Sequence, residues 1–143
     1  MEDKMSKKLL ALDIDGTLTN TQKDITPATL EKIIEAQEKG NIVAIASGRP
    51  LPGIRKIADI IQLDRFGGYV LAFNGGRIVN YKTGEVVYQA ALDNEIVRDI
   101  YDYCLKVGCG MVTYDGDRVI TGTDIDGYMT FEASICLLYT SPS

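Results

Sequence analysis

Three short apolar runs, each closed by a polar or glycine-bearing motif, constrain this chain more than any other feature. The first is Leu9 to Ile14, Leu-Leu-Ala-Leu-Asp-Ile, and it gives way to Asp15-Gly16. The second runs from Asn41 to Ser47 and ends at Gly48-Arg49-Pro50; the third runs from Tyr69 to Phe73 and ends at Asn74-Gly75. Runs of this length and apolarity suit strands buried on both faces, as in a parallel sheet. Between the first two, Thr26 is placed to cap a helix, and Pro27 takes its first position, where no amide donor is needed. Leu30, Ile33 and Ile34, with Ala36 at the edge, give that helix an apolar face, and Gly40 closes it. Between the second and third runs, Ile54, Ile57, Ala58 and Ile61 share one helical face. Strand, helix, strand, helix, strand predicts an α/β protein with a doubly wound, mostly parallel, Rossmann-like core. Such sheets take ligands beyond the C-terminal ends of their strands. The three closing motifs, Asp13/Asp15, Ser47-Gly48-Arg49 and Asn74-Gly75, therefore converge on one site once the sheet forms.

The rhythm changes after Asn74. Arg77 to Asn80 and Glu85 to Gln89 alternate in part around Lys82-Thr83-Gly84 and read as a hairpin. Asp93 to Val107 reads as a helix with Ile96, Ile100, Tyr103, Cys104 and Val107 on its apolar side. Met111 to Tyr114 and Arg118 to Thr121 read as strands around Asp115-Gly116. This layout predicts a first part of the core over 1–90 and the opening of an inserted α/β domain over 91–133, with both domains incomplete. Residues 134–143 find no partner in this layout and read as a non-native tail.

Composition narrows the function classes. Of 143 residues, 45% are hydrophobic and 24% charged, which is a globular balance. Fifteen basic residues against twenty acidic ones are scattered rather than clustered, so no nucleic-acid footprint is expected. No run of apolar residues is long enough to predict a membrane span. Cys104, Cys109 and Cys136 make neither a disulfide framework nor a metal-ligand spacing, and a cytoplasmic setting is expected. The absence of histidine removes His-based triads and most zinc sites.

The acidic loop Asp13-Ile14-Asp15-Gly16-Thr17 carries the chemistry. Two carboxylates two residues apart face the same way only if the backbone turns between them, which Gly16 permits. Carboxylates this close raise one another's pKa unless compensated, and Mg²⁺, a hard ion that prefers oxygen, can compensate them. One carboxylate can act as nucleophile on phosphorus while the other passes a proton to the leaving oxygen. The same letters also suit a plain acidic turn. An EF-hand loop is excluded, because its sixth and twelfth positions from Asp13 hold Leu18 and Asp24 rather than Gly and Glu. Ser47 can donate its hydroxyl to a phosphoryl oxygen with Gly48 allowing close backbone approach, or the pair is a simple turn. Arg49 can bind substrate phosphate or brace the loop by a salt bridge. Asn74 can contact a ligand, or belong to an ordinary Asn-Gly turn.

These residues resemble the haloacid dehalogenase-like superfamily, and within it the Cof-like group of sugar and small-metabolite phosphatases. Asp13-Ile14-Asp15-Gly16-Thr17-Leu18 is similar to the family's first motif, Ser47 within Ile45 to Pro50 to its second, and Phe73-Asn74-Gly75-Gly76 to its third-strand signature. Ser47 stands where members often have Thr, and Gly76 where they usually have Ala. The resemblance implies a phosphatase of small phosphorylated metabolites, with Mg²⁺ as cofactor. Asp13 would be the nucleophile and a metal ligand. Asp15 would be the acid/base, giving its backbone carbonyl to the metal, and Ser47 would hold the phosphoryl group. The inserted domain would be an α/β cap that selects substrate.

The resemblance also implies a gap. The family's stabilising Lys and further acidic metal ligands follow the cap, and neither Lys82 nor Lys106 stands in a matching context. In the family, further strands pair on the far side of the first. Without them the 9–14 strand would expose an apolar edge, and a 143-residue product would be aggregation-prone or marginally stable, with little activity. A phosphoacceptor regulatory module and an inactive truncated form are the alternative readings of the same motifs.

Overall fold

The computed structural model describes residues 7–116, 118–122, 127–135 and 139–142. The elements are β1 (Leu9–Leu12), α1 (Pro27–Glu38), β2 (Ile42–Ala46), α2 (Pro52–Ile60), α3 (Leu63–Phe66), β3 (Tyr69–Ala72), a single 3-10 turn (Phe73–Gly75), β4 (Arg77–Asn80), β5 (Val86–Gln89), α4 (Asn94–Val107), β6 (Val112–Asp115), β7 (Arg118–Thr121), α5 (Gly127–Ile135) and β8 (Tyr139–Pro142). The predicted elements occur in the predicted order, and α3, the 3-10 turn, α5 and β8 are added to them. Backbone contacts divide them into two units, one running through Gln89 and the other from Ala90 together with the short stretch Leu51–Gly53.

The first unit is a five-stranded mixed sheet in the order β1-β2-β3-β4-β5. β1, β2 and β3 are parallel, with Leu12 opposite Ile45 and Ala46 opposite Leu71. The antiparallel β4 and β5 extend the sheet past β3. Thr26 caps α1 as expected, its hydroxyl accepting the Thr29 amide at 3.2 Å. Gln37 of α1 donates to the carbonyl of Ile61 at 2.8 Å, so α1 and the end of α2 are neighbours. Strands running in sequence order with right-handed crossovers put successive helices on one face, which agrees with that bond. The core gathers Val43, Ala44 and Ile45 of β2, Val70 and Ala72 of β3, Ile33 of α1, and Ile54, Ile57, Ala58 and Ile61.

Gly68, just before β3, shows how tightly the first unit is closed. A Cβ there would collide with the carbonyl oxygen of Val43 and lie 2.6 Å from the Leu63 side chain. The Val43 carbonyl is main chain and the Leu63 methyl is fully buried, so the backbone itself would have to shift.

β1 forms one edge of the sheet, with Leu9 65% exposed and Leu10 also exposed. Among the described residues no strand pairs with its outer side, which is the exposed position of an edge strand.

In the second unit, β6 pairs antiparallel with β7, and β8 pairs parallel with β7. Residues 134–143 were expected to lack a partner, and here the structure corrects the sequence reading. Tyr139–Pro142 is a strand aligned with Arg118–Thr121, while 136–138 and 143 lie outside the described residues. The packed face of α4 is also corrected. Val97, Tyr101 and Cys104 are the half-buried positions, and the Tyr101 hydroxyl donates to the carbonyl of Gly122 at 2.8 Å. A Cβ on Gly122 would strike the Tyr101 ring, so the absent side chain makes room for it. Ile96, Ile100, Tyr103 and Val107 form an adjacent, exposed stripe. No helix among the described residues is long and apolar enough to cross a membrane.

Two outcomes follow for this fold. Gly68→Ala is expected to cost about 2 kcal/mol or more, as overpacking against backbone does, read as a lower urea midpoint with unchanged slope. Leu9→Lys is expected to reduce concentration-dependent self-association in light scattering, since a charge on an edge strand opposes strand addition. Equal association in both chains would exonerate the β1 edge.

Candidate active site

The site begins where β1 stops. Ile14 and Leu18 are buried, which pins the loop beyond Leu12 to the core and leaves Asp13 and Asp15 at the surface. Gly16, at φ +81°, makes the turn that an L side chain would resist. The loop then closes on itself. The Leu18 amide donates to the Asp13 carbonyl at 3.1 Å, and both the amide and the hydroxyl of Thr19 donate to the Ile14 carbonyl at 2.9 Å. Five peptide units thus hold the two aspartates in a fixed frame.

The second and third strand ends are stitched together beside it. The Ser47 amide donates to Leu71 at 3.0 Å, the Asn74 amide to the Ser47 carbonyl at 3.0 Å, and the Phe73 amide to the Arg49 carbonyl at 3.1 Å. The Ser47 hydroxyl oxygen accepts the Arg49 amide at 3.2 Å, which orients the hydroxyl and leaves its proton for an incoming oxygen. A Cβ on Gly48 would lie 3.2 Å from Asn74 Oδ1, so the Asn74 side chain rests against that bare backbone. Phe73 and Asn74 both adopt left-handed angles, at φ 53° and 55°. Asn tolerates this conformation through its short polar side chain, whereas Phe pays a steric cost of about 1 kcal/mol or more. The hydrogen bonds to Arg49 and Ser47 hold the pair there.

These residues line a hollow of about 280 Å³ walled by Asp13, Ala46, Ser47, Gly48, Leu71, Asn74 and Gly75. Four of the six residues singled out in the sequence therefore share one cavity. Asp15 and Arg49 do not line it; they are paired with each other. Arg49 Nη2 lies 2.8 Å from Asp15 Oδ1 and 2.9 Å from Oδ2, and Nε lies 3.2 Å from Oδ2. Lys23 completes the clamp, its ammonium 2.6 Å from Asp15 Oδ1. Lys23 was not among the residues singled out from the sequence. It arrives because Asn20 Oδ1 accepts the amides of Gln22 and Asp24, folding the segment back, with Lys23 itself at φ 66°. Asn20 was the available signal, since Asn side chains make such local turns.

The clamp holds the Asp15 carboxyl below the usual carboxylate range. The Lys23 hydrogen bond is the largest cause, partial burial opposes it, and Arg49 adds to it. Among the described residues no group of three or more His, Cys, Asp or Glu side chains converges to hold a metal. The donors that are present suit Mg²⁺ in kind. The Asp13 carboxylate is a hard oxygen ligand at the cavity wall, whereas the Asp15 carboxylate is already neutralised by two cations.

The clamp has a measurable sign. A carboxyl whose folded pKa is depressed adds stability above its unfolded pKa and loses it as pH falls through the folded value. Asp15 is 41% exposed, so solvent screens the pair and the contribution is about 0.5 kcal/mol. In a Lys23→Ala, Arg49→Ala chain, the Asp15 carboxyl titration followed by carbon-detected NMR is expected to move up toward the ordinary Asp range. An unmoved titration would show that the two cations do not set it.

Residues 10–135 match the model of the haloacid dehalogenase-like hydrolase family. YxeH of Bacillus subtilis is 30% identical over 129 residues, covering 90% of this chain and 48% of that protein. A phosphoglycolate phosphatase of Thermoplasma volcanium is 38% identical over 122 residues, covering 84% of this chain and 52% of that one. The crystal structure of a haloacid dehalogenase-like hydrolase from Bacteroides thetaiotaomicron superposes with a TM-score of 0.87 at 36% identity, covering 96% of this chain and 52% of that one. The chain thus spans about half the length of the relatives it matches. The fold, the converging strand ends and the match over nearly the whole length together show that this chain belongs to the haloacid dehalogenase-like hydrolase family.

Proposed function

We propose that this chain supplies the nucleophile side of a Mg²⁺-dependent phosphatase of small phosphomonoesters. The observation that carries the reading is the hollow that Asp13, Ser47 and Gly48 line together. Its volume suits a phosphoryl group with part of a small organic substituent. That one relative is named a phosphoglycolate phosphatase supports a small phosphorylated metabolite as substrate, with a sugar phosphate in the same class.

In this reading the Asp13 carboxylate attacks phosphorus, the bond from phosphorus to the ester oxygen breaks, and an aspartyl-phosphate forms on Asp13. Ser47 donates its free proton as a hydrogen bond to a phosphoryl oxygen, held in aim by the Arg49 amide. Asp15 gives a proton to the leaving alkoxide, then takes one from the water that attacks the acyl-phosphate. Clamped by Lys23 and Arg49, Asp15 is held ionised and carries no proton to give, so it must first take one from solvent as the clamp loosens. A phosphate dianion competes for Arg49 through the same forked geometry, so substrate arrival itself loosens the clamp. Arg49 then serves as the phosphate-binding residue. Asn74 braces Gly48 and the rim of the cavity. The Asp13 carboxylate and the Asp15 main-chain carbonyl would hold Mg²⁺, which supplies charge neutralisation on the phosphoryl oxygens when bound. The unit from Ala90 onward is the opening of the inserted cap, and the core runs to about residue 90.

The direct test is covalent. Incubation with a radiolabelled small acyl or ester phosphate and Mg²⁺ is expected to leave hydroxylamine-labile label on Asp13, absent in Asp13→Asn. Ser47→Ala is expected to slow labelling on the order of a hundredfold, as loss of one oriented donor does. Label retained in Asp13→Asn, or found on another residue, would sink the nucleophile assignment.

A further inference from the structure

The C-terminal cap of α4 carries two cysteines, Cys104 and Cys109, joined by a backbone hydrogen bond. The Cys109 amide donates to the Cys104 carbonyl at 2.9 Å, the Gly108 amide donates to the Leu105 carbonyl at 3.4 Å, and Gly108 is left-handed at φ +72°. This nested pair of bonds is the Schellman motif, which is frequently accompanied by a side-chain contact between the residues joined by the outer bond. Here both of those residues are cysteines. The outer bond also serves as a ruler. A Cα–C=O···H–N–Cα path with that N···O distance cannot separate the two Cα atoms by more than about 7 Å. A disulfide requires Cα atoms roughly 4.4–6.8 Å apart. Both cysteines are free; Cys104 is half-buried and Cys109 is exposed. An ordinary apolar seal over the cap needs no sulfur and no exposed partner, since Val, Leu or Ala would serve.

We infer that Cys104 and Cys109 form a redox-active dithiol that closes to an intramolecular disulfide across the α4 C-cap when it meets a small-molecule disulfide such as oxidised glutathione. The exposed Cys109 thiolate attacks one sulfur of the glutathione disulfide, forming a mixed disulfide and expelling one glutathione thiolate. The Cys104 thiolate then attacks Cys109 Sγ, forming the Cys104–Cys109 bond and expelling the second glutathione thiolate. Two protein thiols lose two electrons, one glutathione disulfide gains them, and the two protons leave on the two reduced glutathiones. Because the Cα atoms already lie within reach, closure keeps the helix and fixes the left-handed turn at Gly108 through which the chain passes toward β6.

The test uses the full chain carrying Cys136→Ser, so that only these two thiols report. It is equilibrated in glutathione redox buffers, in native buffer and separately in concentrated urea, then acid-quenched, alkylated and weighed. The expected native product is lighter by two hydrogens, carries no glutathione, and maps to a Cys104–Cys109 crosslink. Its formation midpoint should favour the disulfide at least about tenfold over the urea sample, because the folded cap raises the effective thiol concentration. Cys109→Ser in the same background should stop at a glutathione adduct or stay reduced. Helical circular dichroism should survive oxidation. Coincident midpoints in native buffer and urea, a native end-point of glutathione adducts, or loss of helicity on closure would each overturn the inference.

Discussion

The parallel pairing of β1, β2 and β3 is the constraint on which the rest depends. With Leu12 opposite Ile45 and Ala46 opposite Leu71, the first residues beyond each strand, Asp13, Ser47 and Phe73-Asn74, emerge side by side. Parallel ladders put every C-terminal end on the same edge, so three motifs separated by dozens of residues become one cavity. The hydrogen bonds from Ser47 to Leu71 and from Asn74 to Ser47 continue that ladder one step past the strands. They carry the order of the sheet into the loops, which is why the cavity has rigid walls.

On that frame the electrostatics divide the two aspartates. Asp13 lines the hollow, while Asp15 sits between Lys23 and the largely buried Arg49 guanidinium. Two carboxylates close in sequence thereby avoid direct mutual repulsion, because one of them is neutralised locally. The left-handed Phe73 and Asn74 are the steric counterpart of this arrangement. Their strain persists because the ends of β2 and β3 over-determine the backbone, a pattern that concentrates at functional sites.

Much of the fold was legible in the sequence, for identifiable reasons. The buried strands were visible because Ile42 to Ala46 and Tyr69 to Ala72 contain no charged residue. The apolar runs extend a residue or two past the paired strands, because Ile14 and Ser47 are buried without belonging to the ladder. α4 misled the reading because it carries two apolar stripes one position apart, Ile96-Ile100-Tyr103-Val107 and Val97-Tyr101-Cys104. Periodicity shows that a stripe exists but does not choose between neighbouring ones; the bond from Tyr101 to Gly122 does. The segment containing β8 was missed because a short parallel strand is recognisable only through its partner, here β7.

By itself the sequence determined the α/β alternation, the helix cap at Thr26, the turn at Gly16 and the residue types able to act on phosphorus. These are local properties, written in periodicity, in caps and in the backbone freedom of single residues. Tertiary structure alone decided that Asp13 joins Ser47, Gly48 and Asn74 at one hollow, that Asp15 is withheld from it by Lys23 and Arg49, and that Gly68 must be bare. The physical reason is distance along the chain. Arg49 reaches Asp15 across thirty-four residues, and Val43 crowds Gly68 across twenty-five. No local pattern encodes such a meeting, because it exists only once parallel strands have fixed the register between segments.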